Sequence, residues 1–147
     1  MIEALDQILV RAPLKLASIV MFVTDLDRSV DFYSTLLNLE PTLRDDTVAL
    51  LVAPGGYQLY LRALGPRASH PLGGIGAQYA LWSAASEADL DRCEAAMRQE
   101  STRVVVTQHD GFRMVEGRDP DDVPVIVSYP GPDLVARREI VPRIYGW

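Results

Sequence analysis

The chain holds a single cysteine, Cys93, among 147 residues. No internal disulfide can form, and a thiolate zinc cluster within one chain is excluded. Histidine is almost as scarce, with only His70 and His109. A catalytic divalent site needs about three ligands from His, Cys or carboxylate, so a lone loop histidine reads first as a solvent-exposed residue. No apolar run approaches the roughly 20 residues that cross a bilayer, so a membrane is not an expected partner. Basic residues are outnumbered, 14 Lys and Arg against 20 Asp and Glu, for a net charge of -6. Such a surface repels phosphate backbones, and no basic cluster with interleaved aromatics offsets it, so nucleic acid is not an expected partner either. Met1 to Val10 carries Glu3 and Asp6 where a secretory signal would carry basic residues. Together with the reduced cysteine, this sets the expected location as cytoplasmic.

What the sequence does contain is a repeat. Asp25-Leu26-Asp27-Arg28 recurs as Asp89-Leu90-Asp91-Arg92, 64 residues later. Each copy follows an apolar stretch of strand length, 17–24 and 77–84, and each opens a segment of helical period. Leu26, Val30, Tyr33 and Leu37 share one helix face with Asp25 as N-cap, and Leu90, Cys93 and Met97 do the same beneath Asp89. Cys93 on that stripe reads as a small buried side chain, not a reactive thiol.

After each helix the period becomes that of strands, at 41–44, 47–53 and 57–63, then at 103–107, 112–116 and 124–129. Pro54-Gly55-Gly56 and Asp119-Pro120-Asp121-Asp122 supply the turns. The fold class is therefore α+β, two βαβββ modules with paired, curved mixed sheets around a cavity. Module 1 covers about 17–64 and module 2 about 77–130, joined by a Gly- and Pro-rich linker that contains His70. Residues 1–16 form an N-terminal extension, with Ile2, Leu5 and Leu9 at helical spacing. Residues 131–147 form a tail that ends in Ile144-Tyr145-Gly146-Trp147, apolar enough to dock.

The segment Val23-Thr24-Asp25-Leu26-Asp27-Arg28-Ser29 leading to Phe32-Tyr33 resembles the opening of a vicinal oxygen chelate domain. That superfamily includes glyoxalase I, extradiol dioxygenases and bleomycin resistance proteins. Gly111-Phe112-Arg113 and Gly117-Arg118-Asp119-Pro120-Asp121 resemble its approach to the last strand. The resemblance implies the same paired βαβββ architecture, a frequent homodimer, and in catalytic members one divalent metal held from the first and last strands of each module. Those positions fall here on Ser18, Tyr60, Gln78 (to within one residue) and Ile126. Only Gln78 resembles a ligand, so no metal and no cofactor is expected. The family turn has Gly-Asn after Asp-Pro-Asp, whereas this chain has Asp122-Val123.

Strand alternation gives the expected lining. If Ser18 faces inward so do Val20 and Phe22, and if Gln78 does so do Ala80 and Trp82. Gln58, Tyr60 and Arg62 would join them from module 1, and Pro124, Ile126 and Ser128 from module 2. Arg62 or Arg113 could meet a carboxylate or stack on a ring. The leading reading is a metal-independent protein that sequesters or carries a small, partly aromatic ligand. The alternative is an enzyme, a lyase, isomerase or dioxygenase with an atypical metal site, or a metal-free catalyst using Glu116, His109 or Tyr60. A rebuilt metal site from His109, Asp110 and Glu116, and a scaffolding role through the surface, stand as further readings.

Overall fold

A computed structural model describes residues 14–66, 77–109 and 111–131. The extension up to residue 13, most of the linker with His70, Asp110, and the tail from 132 lie outside the described residues. The order of elements is β1 (Ser18–Val23), α1 (Leu26–Leu37), β2 (Pro41–Arg44), β3 (Val48–Val52) and β4 (Gln58–Ala63). It then repeats as β5 (Leu81–Ser83), α2 (Glu87–Glu100), β6 (Val105–His109), β7 (Phe112–Arg118) and β8 (Pro124–Tyr129). Each half makes its own four-stranded sheet, ordered β1-β4-β3-β2 and β5-β8-β7-β6. In each, the first strand lies parallel to the last and the other pairs are antiparallel. These are the two βαβββ modules expected from the repeat, and the two sheets remain separate rather than closing on each other.

The offset between modules differs from the one the repeated tetrapeptide suggests. From Leu26 to Glu87, the first helical residues, is 61 positions, not 64. Asp25 caps α1 by accepting from the Arg28 N–H at 3.2 Å. The corresponding cap of α2 is Ser86, which accepts from the Asp89 N–H at 3.0 Å, while Asp89 reaches back to accept from the Ala85 N–H at 3.1 Å. Asp89 is thus the third residue of its helix, in a reciprocal capping arrangement. The shift of three is close to one helical turn, so the apolar stripe of Leu90, Cys93 and Met97 still faces inward.

Both helices cover one side of their sheets. Val23, Leu51, Leu59, Leu61, Val30, Tyr33 and Leu36 from module 1 join Leu90, Cys93, Met97, Val115, Val125 and Val127 from module 2 in one continuous buried cluster. Two ties cross between the modules. Arg92 of α2 donates to the carbonyls of Thr35 and Leu36, at 3.0 Å for Leu36, and so satisfies the C-terminal end of α1, whose last turn carries no basic residue of its own. The second tie is the turn after β7. Asp119 accepts from the Asp121 and Val123 N–H groups at 2.8 and 2.9 Å, and its other oxygen takes the Tyr33 hydroxyl at 2.6 Å. Asp121 in turn accepts from the Thr24 hydroxyl and N–H. The residues of the second-half motif are therefore a clasp on the first half. Asp122 sits at φ +64, in the left-handed region that favours glycine. Asp is among the side chains that tolerate it, so the turn forms without glycine.

Candidate functional site

Edge strands β1 and β5 face each other across the junction of the modules, and a cavity of about 1310 Å³ opens between them. That is larger than the roughly 300–1,000 Å³ of common small-molecule sites. It is lined by residues 18–24 and 77–84, by Tyr33, Leu36 and Leu37 of α1 and Asp89, Arg92 and Cys93 of α2, which form its floor, and by Tyr57 and Leu64. The lining is mostly apolar. Tyr57 and Trp82 form an aromatic pair across it, ring centroids 5.1 Å apart and tilted by 56°.

Of the residues expected to line a site, Ser18, Val20, Phe22, Gln78, Ala80, Trp82 and Pro124 border this cavity. Gln58, Tyr60 and Arg62 lie instead on the sheet face of module 1 that turns away from α1. There the Tyr60 hydroxyl donates to Gln58 Oε1 at 3.3 Å and the Arg62 guanidinium stands 5.9 Å over the Phe22 ring. That face is open, with Val20 64%, Phe22 59% and Leu43 54% exposed. The matching face of module 2 is closed. Ile126 is buried there with Phe112 and Met114 against Tyr79 and Leu81, because every residue of β8 before Tyr129 is buried. Arg113 is on the opposite side of its sheet, paired with Asp91 of α2, since alternate residues of β7 point toward that helix. Ile126 and Arg113 are therefore a core residue and a surface ion pair rather than walls of the cavity.

The register of β5, carried two residues back along the chain, matches Tyr79 to Ser18, and Tyr79 packs with Leu81 against Ile126. In module 1 Tyr60 lies opposite Val20, two residues beyond Ser18, and in module 2 Ile126 lies opposite Leu81, two residues beyond Tyr79. Trp82 instead lies opposite Val127 and packs against the main buried cluster. The four positions at which the family resemblance implies metal ligands are thus Ser18, Tyr60, Tyr79 and Ile126. One aliphatic hydroxyl, two phenols and a hydrocarbon do not fit a catalytic divalent ion, which takes imidazole, thiolate or carboxylate. Among the described residues no three His, Cys, Asp or Glu side chains gather into a metal-binding group.

The titratable groups of the floor are tuned by burial. Burial raises the Cys93 thiol, and Asp89 adds to this while Arg92 opposes it. Its Sγ lies 3.6 Å from the Leu36 carbonyl. Cys93 should accordingly resist a thiol-reactive chromogenic disulfide in the native state and react fully in denaturant; rapid native labelling would contradict its burial. Burial likewise raises the Tyr57 phenol, with smaller contributions from Cys93 and Asp89. At Asp89 burial pushes upward, but the Ala85 N–H and Arg92 outweigh it and hold the carboxyl below its usual range.

Two βαβββ modules with these strand orders, packed against each other through their helices, define a class. The family model of the Glyoxalase/Bleomycin resistance protein/Dioxygenase superfamily matches residues 15–127, and the chain belongs to that superfamily. Among solved structures it is similar to a glyoxylase/bleomycin resistance protein/dioxygenase domain from Frankia sp. EAN1pec, at 22% identity and a TM-score of 0.66, covering 80% of this chain and 98% of that one. A lactoylglutathione lyase from Agrobacterium tumefaciens follows at 21% identity and TM-score 0.58, with coverages of 80% and 94%. The oxidase ChaP-H2 follows at 20% identity and TM-score 0.57, again covering 80% and 94%. None of the curated proteins matches the chain.

Proposed function

We propose that this chain binds a small, partly aromatic molecule in the cavity between β1 and β5, without a divalent metal at the family positions. The observation that carries the reading is a large, mainly apolar cavity bordered by the Tyr57–Trp82 pair, in a chain whose four corresponding positions are Ser18, Tyr60, Tyr79 and Ile126. Apolar walls with a few polar groups favour an organic guest held by surface burial and ring contacts. Sequestration or transport of that guest needs no reacting group, which agrees with a floor whose charged side chains are already engaged with each other and with backbone.

A ligand at 100 times its dissociation constant adds roughly 2.7 kcal/mol to stability, so a panel of aromatic metabolites and drugs should contain members that raise the melting temperature by several degrees. Trp82→Ala removes half of the ring pair, and it should cancel those shifts when each is measured against the variant's own ligand-free melting temperature, which the lost core contact lowers. Silence across a broad panel, or shifts untouched by Trp82→Ala, would remove the basis for the reading. Stoichiometric Fe, Mn, Ni or Zn in protein purified without chelator would instead favour an enzyme with a metal site built from other residues.

A further inference from the structure

The polar groups around the cavity divide sharply into committed and uncommitted. Arg92, the one cation on its wall among the described residues, gives Nε to Asp89 at 2.9 Å and its terminal nitrogens to the Thr35 and Leu36 carbonyls. Asp121 takes both Thr24 donors, and the Tyr33 hydroxyl goes to Asp119. Gln78, Tyr79 and Ser83 have partners as well. The Tyr57 and Ser18 hydroxyls differ: both belong to the cavity lining with no hydrogen-bond partner among the described residues, and the Tyr57 ring lies tilted beside Trp82. A negative group entering here would shed its hydration, meet the Asp89 and Asp121 carboxylates, and find no free cation among the described residues of the lining, since Arg62 stands outside it, over the Phe22 ring that borders both surfaces. A neutral hydroxyl or carbonyl on a flat ring placed beside Trp82 would find the Tyr57 hydroxyl as a donor and an aromatic neighbour, with the Ser18 hydroxyl elsewhere on the lining.

Resting on the binding reading above, we propose that the cavity selects flat aromatic molecules that bear a hydrogen-bonding hydroxyl or carbonyl, met by the Tyr57 hydroxyl, and no negative charge. The open face of module 1 makes the opposite selection, because Arg62 beside Phe22 offers a cation and a ring together to an aromatic anion. Charge preference therefore distinguishes the two surfaces.

The test uses the full chain and three probes of one shape: 2-naphthol, naphthalene and 2-naphthoate, titrated by calorimetry at neutral pH. Binding of 2-naphthol should be at least tenfold tighter than that of 2-naphthoate. Tyr57→Phe should weaken 2-naphthol about fivefold, the equivalent of one net hydrogen bond, and leave naphthalene unchanged. Its far-ultraviolet spectrum and melting temperature check that the fold is kept. If 2-naphthoate binds as tightly as 2-naphthol, the selection is wrong while the binding reading stands, and loss of that binding in Arg62→Ala would put the guest on the open face. Equal weakening of 2-naphthol and naphthalene by Tyr57→Phe would overturn the hydrogen bond. If none of the three binds, the selection of flat aromatics is overturned, while the binding reading answers to the broad panel above.

Discussion

Replacing Asp119 with alanine is expected to cost about 3 kcal/mol or more, because it strands three donors at once at roughly 1–3 kcal/mol for each buried group left unsatisfied. The Tyr33 hydroxyl and the Val123 N–H are buried, and the Asp121 N–H is partly so. Tyr33→Phe removes only one partner and should cost about 1–3 kcal/mol. Since each single change disables the same contact, the double variant should lose less than the two losses added, by at least about 1 kcal/mol. Strict additivity in urea unfolding would mean that the hydroxyl and carboxylate do not act together. The pair also sets a pH dependence. Burial raises the Asp119 carboxyl, while the Tyr33 hydroxyl and the turn N–H groups hold it back. The folded chain therefore binds this proton more tightly than the unfolded one. The contribution is fully present below the ordinary value near 3.9 and is lost as pH climbs through the raised value, flat thereafter. The stability of wild type relative to Asp119→Asn should decline across that interval. In Tyr33→Phe, which loses a bond favouring the charged form, the decline should move to higher pH.

A valine at position 117 is expected to be nearly as damaging, for a steric reason. A Cβ built on Gly117 meets Met97 Sδ at 2.8 Å and Met97 Cβ and Cγ at 3.0 Å. The sulfur end could swing aside, but Met97 has no exposed surface into which to move, and its Cβ is fixed by the helix backbone. Helix α2 would have to lift from β7, so Gly117→Val should cost at least the 1–3 kcal/mol common for overpacking and Gly117→Ala somewhat less. Equal midpoints for both variants and wild type in urea would show that α2 moves without resistance.

Much of this architecture is legible in the sequence because period changes mark each element. The helical steps of Leu26, Val30 and Tyr33 and the alternation around Leu59 and Leu61 name the buried faces correctly. Leu36, fully buried where Leu37 was expected, is a shift of one within the same stripe. The second module is harder to read, for a physical reason. Strand β5 is only three residues long, and the run Tyr79-Ala80-Leu81-Trp82 carries no polar-apolar alternation. Nothing local fixes its face, and a slip of one position turns Trp82 from one side of the sheet to the other. The repeated tetrapeptide misleads similarly, since a three-residue displacement on a helix preserves the stripe while moving the cap from Asp89 to Ser86. Arg92 gives no warning of its role, because the carbonyls it reaches, on Thr35 and Leu36, become neighbours only through tertiary packing. The cavity is least legible of all: side-chain direction follows from spacing, whereas empty space depends on how far apart two edges settle.

The open sheet face of the first module has a colloidal consequence. Val20 and Phe22 form an apolar stripe on β1, with Leu43 exposed on β2 at the far edge of the same face, and that far edge offers backbone groups to any neighbouring copy. At neutral pH six net negative charges keep copies apart. Acidification toward the isoelectric value near 4.8 removes that repulsion and leaves the stripe untouched, so mildly acidic buffers are where turbidity will first develop.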